Sequence, residues 1–416
     1  MSDSDKRLKA TSARPPDPAT PSHLFQHLAL QQPAVVAAVS AVAERDTAVT
    51  MGGFVDGVFS MPPSPSPSRP TSGGSSCAPF AQLVREHALA QPVREYALEE
   101  IWIRDPYIVV APAIKDKPAR YLLFGTTDCP PPGASPYSAY PATGFSYYTA
   151  SSLAGKWTGP FVAFSASAGF WANTQFWAPE VCQYSGQWYL TGTFSKLGGH
   201  GRGVQCLRSQ SGLPEGPYAP MLPSQLTPRG QYCLDGSLYF GETEPHLVFC
   251  REHVEVGIGR VCAMPLSARL DQAAGEAFDL FSATDAEWVR AVSSSKACVT
   301  DGCLCWRARA TKELLLTWSS IGEGGKYMVG VARSASGSIH GPWTHDAKPL
   351  FENDGGHAML FRPLASDACA PLHDGESAPP LLMALHSPNK DVMASRCRIF
   401  RISETVVNGK LELRVL

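Results

Sequence analysis

Charge is scarce in this chain. Of its 416 residues 17% are charged, and the formal net charge is -2. That balance supplies no overall attraction for nucleic acid or for an anionic membrane, so neither is expected as a partner. Long apolar runs are missing too. The longest early one, Pro33 to Ala43, is too short to cross a bilayer. It lies behind a polar, proline-rich start that reads poorly as a signal peptide. A cytoplasmic location is the default expectation, with secretion left open. Sustained helical periodicity is rare, which counts against a helical fold. Paired CxxC motifs at zinc spacing are absent. Twelve cysteines are present, and Cys182, Cys206, Cys250 and Cys262 lie inside apolar, strand-like runs. In a chain of this length they read as buried free thiols in a reducing compartment, not as a secreted disulfide framework. Cys298, Cys303 and Cys305 cluster without metal-site spacing.

Turn residues and aromatics are abundant. There are 36 Gly and 36 Pro, and aromatics make up 10%. Residues 1–92 differ from the rest. They include a Pro/Ser-rich stretch from Met61 to Ser76 and are expected to form a disordered tail and linker. From residue 93 to 416 short Val/Ile/Leu/Tyr/Phe/Trp runs alternate with Gly, Pro, Asn and Asp, which predicts an all-β domain. The runs repeat. Marker residues at successive strand starts are Asp105, Trp177, Asp235, Asp301 and His357, about 55–75 residues apart, a period that suits a β-propeller blade of three or four strands. A Gly-Pro-aromatic turn recurs late in the units, at Gly159-Pro160-Phe161, Gly216-Pro217-Tyr218 and Gly341-Pro342-Trp343. Five units predict a five-bladed β-propeller. Residues at one end of its innermost strands then converge on one pocket. The competing fold is a β-sandwich with unrelated polar residues at its strand ends.

Three of the markers are carboxylates. A lone aspartate before a strand is most often a turn residue. Three in one pocket raise one another's pKa, which suits cation binding or a division into acid and base.

Arg104-Asp105-Pro106-Tyr107-Ile108, Phe176-Trp177-Ala178-Pro179-Glu180-Val181, Leu234-Asp235-Gly236-Ser237, Thr300-Asp301-Gly302 and Gly355-Gly356-His357, in that order, resemble the five blade signatures of glycoside hydrolase family 43. The resemblance covers about residues 95–416. It implies a five-bladed propeller and an inverting glycosidase with an oligosaccharide or polysaccharide substrate. By position Asp105 matches the general base, Asp235 the carboxylate that tunes and orients the acid, and Asp301 the general acid. Most members carry Glu-Gly-Pro where this chain has Asp301-Gly302-Cys303, so Glu252 is the rival acid. A Thr-Asp-Gly, a Gly-Gly-His and a segment like Leu385-His386-Ser387-Pro388-Asn389 resemble one branch of the family and favour Asp301. The resemblance also places His357 on the propeller axis, where a structural Ca2+ is an expectation; no cofactor is needed for the chemistry. Trp177 is a candidate sugar-stacking wall, the alternative being a Trp buried between blades, and Trp171, Phe176, Trp102 and Phe170 are further aromatic candidates at the rim. Arg333 and His386 are candidate donors to sugar hydroxyls. Glu180 is expected to face away from Trp177. The branch implies exo-action on terminal α-L-arabinofuranosyl or β-D-galactofuranosyl units, then β-D-xylosyl. The alternative is a catalytically inactive glycan-binding propeller. A monomer is expected.

Overall fold

A computed structural model describes residues 93–114, 116–128, 141–241, 244–292, 295–367 and 379–416. The expectation of a tail over residues 1–92 lies outside the described residues.

The described chain forms five antiparallel sheets arranged as a five-bladed propeller. Blade one contains β1 (Arg94–Tyr96), β2 (Arg104–Ala111), β3 (Arg120–Thr126), β4 (Gly144–Ala150) and β5 (Trp157–Ser165) in the order β1-β5-β4-β3-β2. Blade two is β6 (Thr174–Tyr184), β7 (Gln187–Ser195), β8 (Arg202–Ser209) and β9 (Tyr218–Pro220). Blade three is β10 (Cys233–Tyr239), β11 (His246–Arg251), β12 (Arg260–Pro265) and β13 (Phe278–Ser282). Blade four is β14 (Asp301–Arg307), β15 (Leu314–Ile321), β16 (Tyr327–Ser334) and β17 (Trp343–His345). Blade five is β18 (Gly356–Phe361), β19 (Leu381–Ser387), β20 (Arg396–Val407) and β21 (Lys410–Val415). The Gly-Pro-aromatic turns end the blades, and the Gly-Pro peptide is cis in all three. The strands are short, twisted and rich in β-branched and aromatic residues, as strands buried on both faces require.

Apolar side chains fill the spaces between blades. Phe145, Phe164, Phe176 and Phe194 pack between blades one and two, and Trp288 and Trp318 between blades three and four. Each such ring contributes on the order of 2–3 kcal/mol through burial. Among the described residues no named strand pair joins the first and last blades. Trp102 bridges to Arg396 and its Nε1 donates to Val392 O at 2.9 Å, while Ser395 Oγ donates to Ile103 O at 3.3 Å. Trp102 therefore seals the seam between the first and last blades.

Every innermost strand carries a bulge. The pairing with the second strand slips between Arg104 and Tyr107, Trp177 and Glu180, Leu234 and Ser237, Asp301 and Leu304, and Gly356 and Met359. Just after the first residue of each pair the backbone turns left-handed, at Asp105 (φ 51°), Ala178 (46°), Asp235 (56°), Gly302 (56°) and His357 (53°). Asp, Gly and His accept that conformation more readily than most residues. This corrects the sequence-based alignment of markers. Asp105, Asp235 and His357 share one slot, but Trp177 and Asp301 stand one residue earlier, level with Arg104, Leu234 and Gly356. A bulge turns two consecutive side chains toward the same side, which the simple alternation of a strand does not anticipate.

Candidate active site

The bulges gather the acidic residues at one end of the innermost strands. Asp105 Oδ2 accepts a hydrogen bond from Thr126 Oγ1 at 2.7 Å. Its Oδ1 lies 3.3 Å from His357 Nδ1, and the same nitrogen stands 3.6 Å from Asp235 Oδ2. His357 thus sits between the carboxylates of blades one and three. Asp235 Oδ2 accepts the Gly302 N–H at 2.8 Å. Asp301 Oδ2 is paired with the Tyr327 hydroxyl at 3.1 Å. The site is deep: the side chains of Asp105, Asp235 and His357 are 15%, 8% and 8% exposed.

The carboxyls are driven apart electrostatically. Burial alone would favour the neutral form of Asp105, but the neighbouring His357 and Arg104 outweigh it and hold its pKa well below the usual carboxylate range. Asp235 and Asp301 behave oppositely. Burial raises both, the Asp105 charge raises Asp235 further, and Asp235 and Glu252 raise Asp301. The pair therefore holds a proton above the ordinary range. The hydrogen bonds fit a proton on Asp301. A backbone N–H can only donate, so the Gly302 contact requires a lone pair on Asp235. A tyrosine hydroxyl can also accept, so Tyr327 tolerates a protonated Asp301.

The other expected site residues divide. Trp177 lies at the site end of β6, with the Arg202 guanidinium 4.4 Å above its ring. Arg202 also pairs with Glu252 and donates to Gln175 Oε1 at 3.0 Å. Glu252, the rival acid, is thereby committed to an arginine. Trp171 donates from Nε1 to Gln205 Oε1 at 2.5 Å and lines a cavity of about 240 Å³ with Lys196, His200, Gln225 and Arg229. Phe176 does not face the pocket. It is 2% exposed and its ring lies 4.8 Å from that of Phe194, because Trp177, not Phe176, takes the slot beside the bulge. Phe170 joins the same aromatic core. Arg333 is also misplaced by the sequence reading. Val329 is the β16 residue level with Ser319 and Asp301, and Arg333 lies well beyond it toward the opposite end. There it binds Asp346 and Glu313. His386 is 1% exposed, too buried to meet a sugar. Its Nδ1 accepts the Asp105 N–H at 3.1 Å and its Nε2 faces Asn389 Oδ1 at 3.2 Å. Burial pulls its pKa down to about 4, so the ring is neutral and acts as an acceptor for backbone.

Three residues escaped the sequence reading. Tyr327 lies outside every motif. Arg202 is one of many arginines until β8 places it. Glu180 was expected to face away from Trp177, but the extra bulge between them turns it inward, near Ser237 and Asp235. Burial pushes the Glu180 carboxyl up to about 8, and the Asp235 charge adds to the rise. The fold therefore favours neutral Glu180. Its contribution to stability is complete below the ordinary value of 4.5 and is lost as pH rises through about 8. At about 1.4 kcal/mol per unit the loss over this range is on the order of 5 kcal/mol. Glu180→Gln is expected to match the wild-type melting temperature near pH 5 and exceed it above pH 8. An equal offset at both pH values, read from thermal melts, would contradict this placement.

Calcium takes six to eight oxygen ligands. Among the described residues no group of three or more His, Cys, Asp or Glu side chains has metal-holding geometry, and His357 Nδ1 is directed at two carboxylates. These residues do not by themselves build a calcium cage; an ion beside His357 would depend on water ligands.

The sequence profile of glycosyl hydrolases family 43 matches residues 103–375. The chain belongs to glycoside hydrolase family 43. As a family 43 member it is a glycoside hydrolase, and its substrate is a carbohydrate. No curated protein sequence matches. Among solved structures it is similar to an endo-arabinase from Bacteroides thetaiotaomicron, with 32% identity, a TM-score of 0.62, and coverage of 77% of this chain and 100% of that one. It is also similar in fold to a thermostable family 43 glycoside hydrolase (17% identity, TM-score 0.55, covering 76% and 92% of the two chains). The same holds for an α-L-arabinofuranosidase from Lactobacillus brevis (15% identity, TM-score 0.54, covering 73% and 91%).

Proposed function

We propose that this family 43 enzyme removes terminal furanosyl or pentosyl units from oligosaccharides or polysaccharides with inversion, taking α-L-arabinofuranosyl first and β-D-galactofuranosyl or β-D-xylosyl next. The observation that carries the mechanism is the placement of the carboxyls: Asp105 held by Thr126 beside His357, and Asp301 beside the Tyr327 hydroxyl with Asp235 on the Gly302 N–H, which favours an ionised Asp105 and a proton retained by the Asp235–Asp301 pair. In the proposed reaction Asp105 takes a proton from a water whose oxygen attacks the anomeric carbon. The glycosidic C–O bond breaks, and Asp301 gives its proton to the leaving oxygen. Asp235 stays charged beside Asp301 and keeps the proton there until it is needed. Such a division needs room for the water between base and sugar. Asp301 is preferred to Glu252 as the acid because Glu252 is already hydrogen-bonded to Arg202.

Trp177 supplies an aromatic face for a sugar. Arg104 Nη2 is held by Asn389 Oδ1 at 2.7 Å, which fixes the guanidinium beside Asp105. The similarity to an endo-arabinase supports arabinofuranosyl over xylosyl. The depth of the carboxyls favours a terminal sugar that enters end-on. Internal cleavage is the second reading, favoured by the same relative's description. A panel of nitrophenyl glycosides followed by digestion of linear arabinan separates these. Hydrolysis of the arabinofuranoside with free arabinose as sole early product is expected. A ladder of arabino-oligosaccharides would replace exo- with endo-action, and turnover confined to another glycoside would overturn the choice of sugar.

A further inference from the structure

The left-handed residue at each bulge has a backbone N–H that points out of its own strand. In four blades that N–H is received by the preceding blade. Ala178 N donates to Thr126 Oγ1 at 2.9 Å, Asp235 N to Thr193 Oγ1 at 2.9 Å, His357 N to Ser319 Oγ at 2.8 Å and Asp105 N to His386 Nδ1 at 3.1 Å. All four acceptors occupy one position. Each is the second-strand partner of the residue before the bulge, as the pairs Arg104–Thr126, Trp177–Thr193, Asp301–Ser319 and Gly356–His386 show.

In blade three the same position, opposite Leu234, is Cys250. Its side chain is fully buried, its thiol is pushed well up and stays neutral, and a neutral thiol is a weak acceptor. The N–H it would have received, that of Gly302, goes to Asp235 Oδ2 instead. Gly302 directly follows Asp301.

We infer that Cys250 is a positioning residue for the hydrolytic reaction: by leaving the Gly302 N–H unclaimed, it lets that N–H clamp Asp235 against the backbone of Asp301. Blade one displays the alternative. There Thr126 accepts the Ala178 N–H and donates its own hydroxyl hydrogen bond to Asp105, so a hydroxyl is interposed between N–H and carboxylate. A hydroxyl at position 250 would interpose itself in the same way, drawing the Gly302 N–H off Asp235 and loosening the geometry between Asp235 and Asp301. The inference rests on the acid role proposed for Asp301.

The test compares Cys250→Ser with Cys250→Ala. Serine fits the space and accepts the N–H. Alanine cannot accept it and leaves the Gly302–Asp235 bond intact, but it opens a small cavity. On a glycoside with a sugar leaving group, Cys250→Ser is expected to lose about tenfold in kcat with KM nearly unchanged, and to recover most of it on a dinitrophenyl glycoside, whose leaving group needs no proton. Cys250→Ala is expected to melt at lower temperature yet keep kcat within about twofold. Opposite orders of stability and activity are not produced by a purely structural role. Equal kcat in Cys250→Ser and wild type, or a greater loss in Cys250→Ala, would overturn the inference. The proposed acid role fails separately if Asp301→Ala keeps its activity on the sugar leaving group.

Discussion

Asp301→Ala is expected to lose at least about a hundredfold in kcat/KM on an arabinoside with a sugar leaving group, and far less on one with a dinitrophenyl leaving group. General acid catalysis contributes about 10²–10⁴, and an aglycone that departs as a stable anion does not draw on it. Three features make Asp301 the residue to change. Its pKa is raised, chiefly by burial and then by the Asp235 charge. Its one hydrogen-bond partner among the described residues, Tyr327, accommodates a protonated carboxyl. The neighbouring N–H of Gly302 is taken by Asp235 and so does not favour ionised Asp301. The same reasoning fixes the sign of the pH effect. A raised acid is active while protonated, so the wild-type rate falls on the alkaline side as the pair loses its proton. In Asp301→Ala with the activated substrate that alkaline limb is expected to disappear. A uniform loss on both substrates would point to damage to binding instead.

Asp105→Ala is expected to be more severe, about 10³-fold or greater on every substrate, because water must be activated whatever the leaving group. Azide added to this variant is expected to restore turnover as a glycosyl azide of inverted configuration, since a small anion needs no base. Geometry holds this carboxylate in place as much as electrostatics does. Asp105 is held by Thr126 on one oxygen and lies beside His357 on the other, and its backbone is pinned by His386. Its pKa stays low despite burial, so the acid limb of the wild-type profile lies below the ordinary carboxylate range. Absence of azide rescue together with leaving-group dependence like that of Asp301→Ala would exchange the two roles.

Much of this arrangement could be read from the sequence. Asp105 and Asp235 announced themselves because a carboxylate ahead of an apolar run is visible as a pattern, and because the pattern recurs. The fold followed from the same recurrence. The bulges were not legible. They arise where an inner strand turns toward the axis, and they shift side chains by one position. That shift sent Phe176 into the aromatic core, turned Glu180 inward and placed Asp301 in a different slot from Asp105. Arg333 was misread for a related reason: composition says that a strand contains an arginine, but only register says at which end it lies. Tyr327, Thr126 and Cys250 stand on second and third strands, where neither a motif nor the repeat marks them. Their roles depend on contacts between blades, which are distant in sequence.

His386 shows how a correct choice of residue can carry the wrong role. The Leu-His-Ser-Pro-Asn segment does reach the active site, yet its histidine is buried beneath it. The ring stacks on Tyr327 with centroids 5.5 Å apart, and that stack ties the support of the base to the partner of the acid.

The central claim is that Asp105 and Asp301 act from opposite faces of the sugar in one displacement. Proton NMR of the first product anomer, recorded during hydrolysis of an α-L-arabinofuranoside before mutarotation, tests it most directly. The β-anomer of arabinose appearing first is the predicted result; the α-anomer appearing first would contradict it.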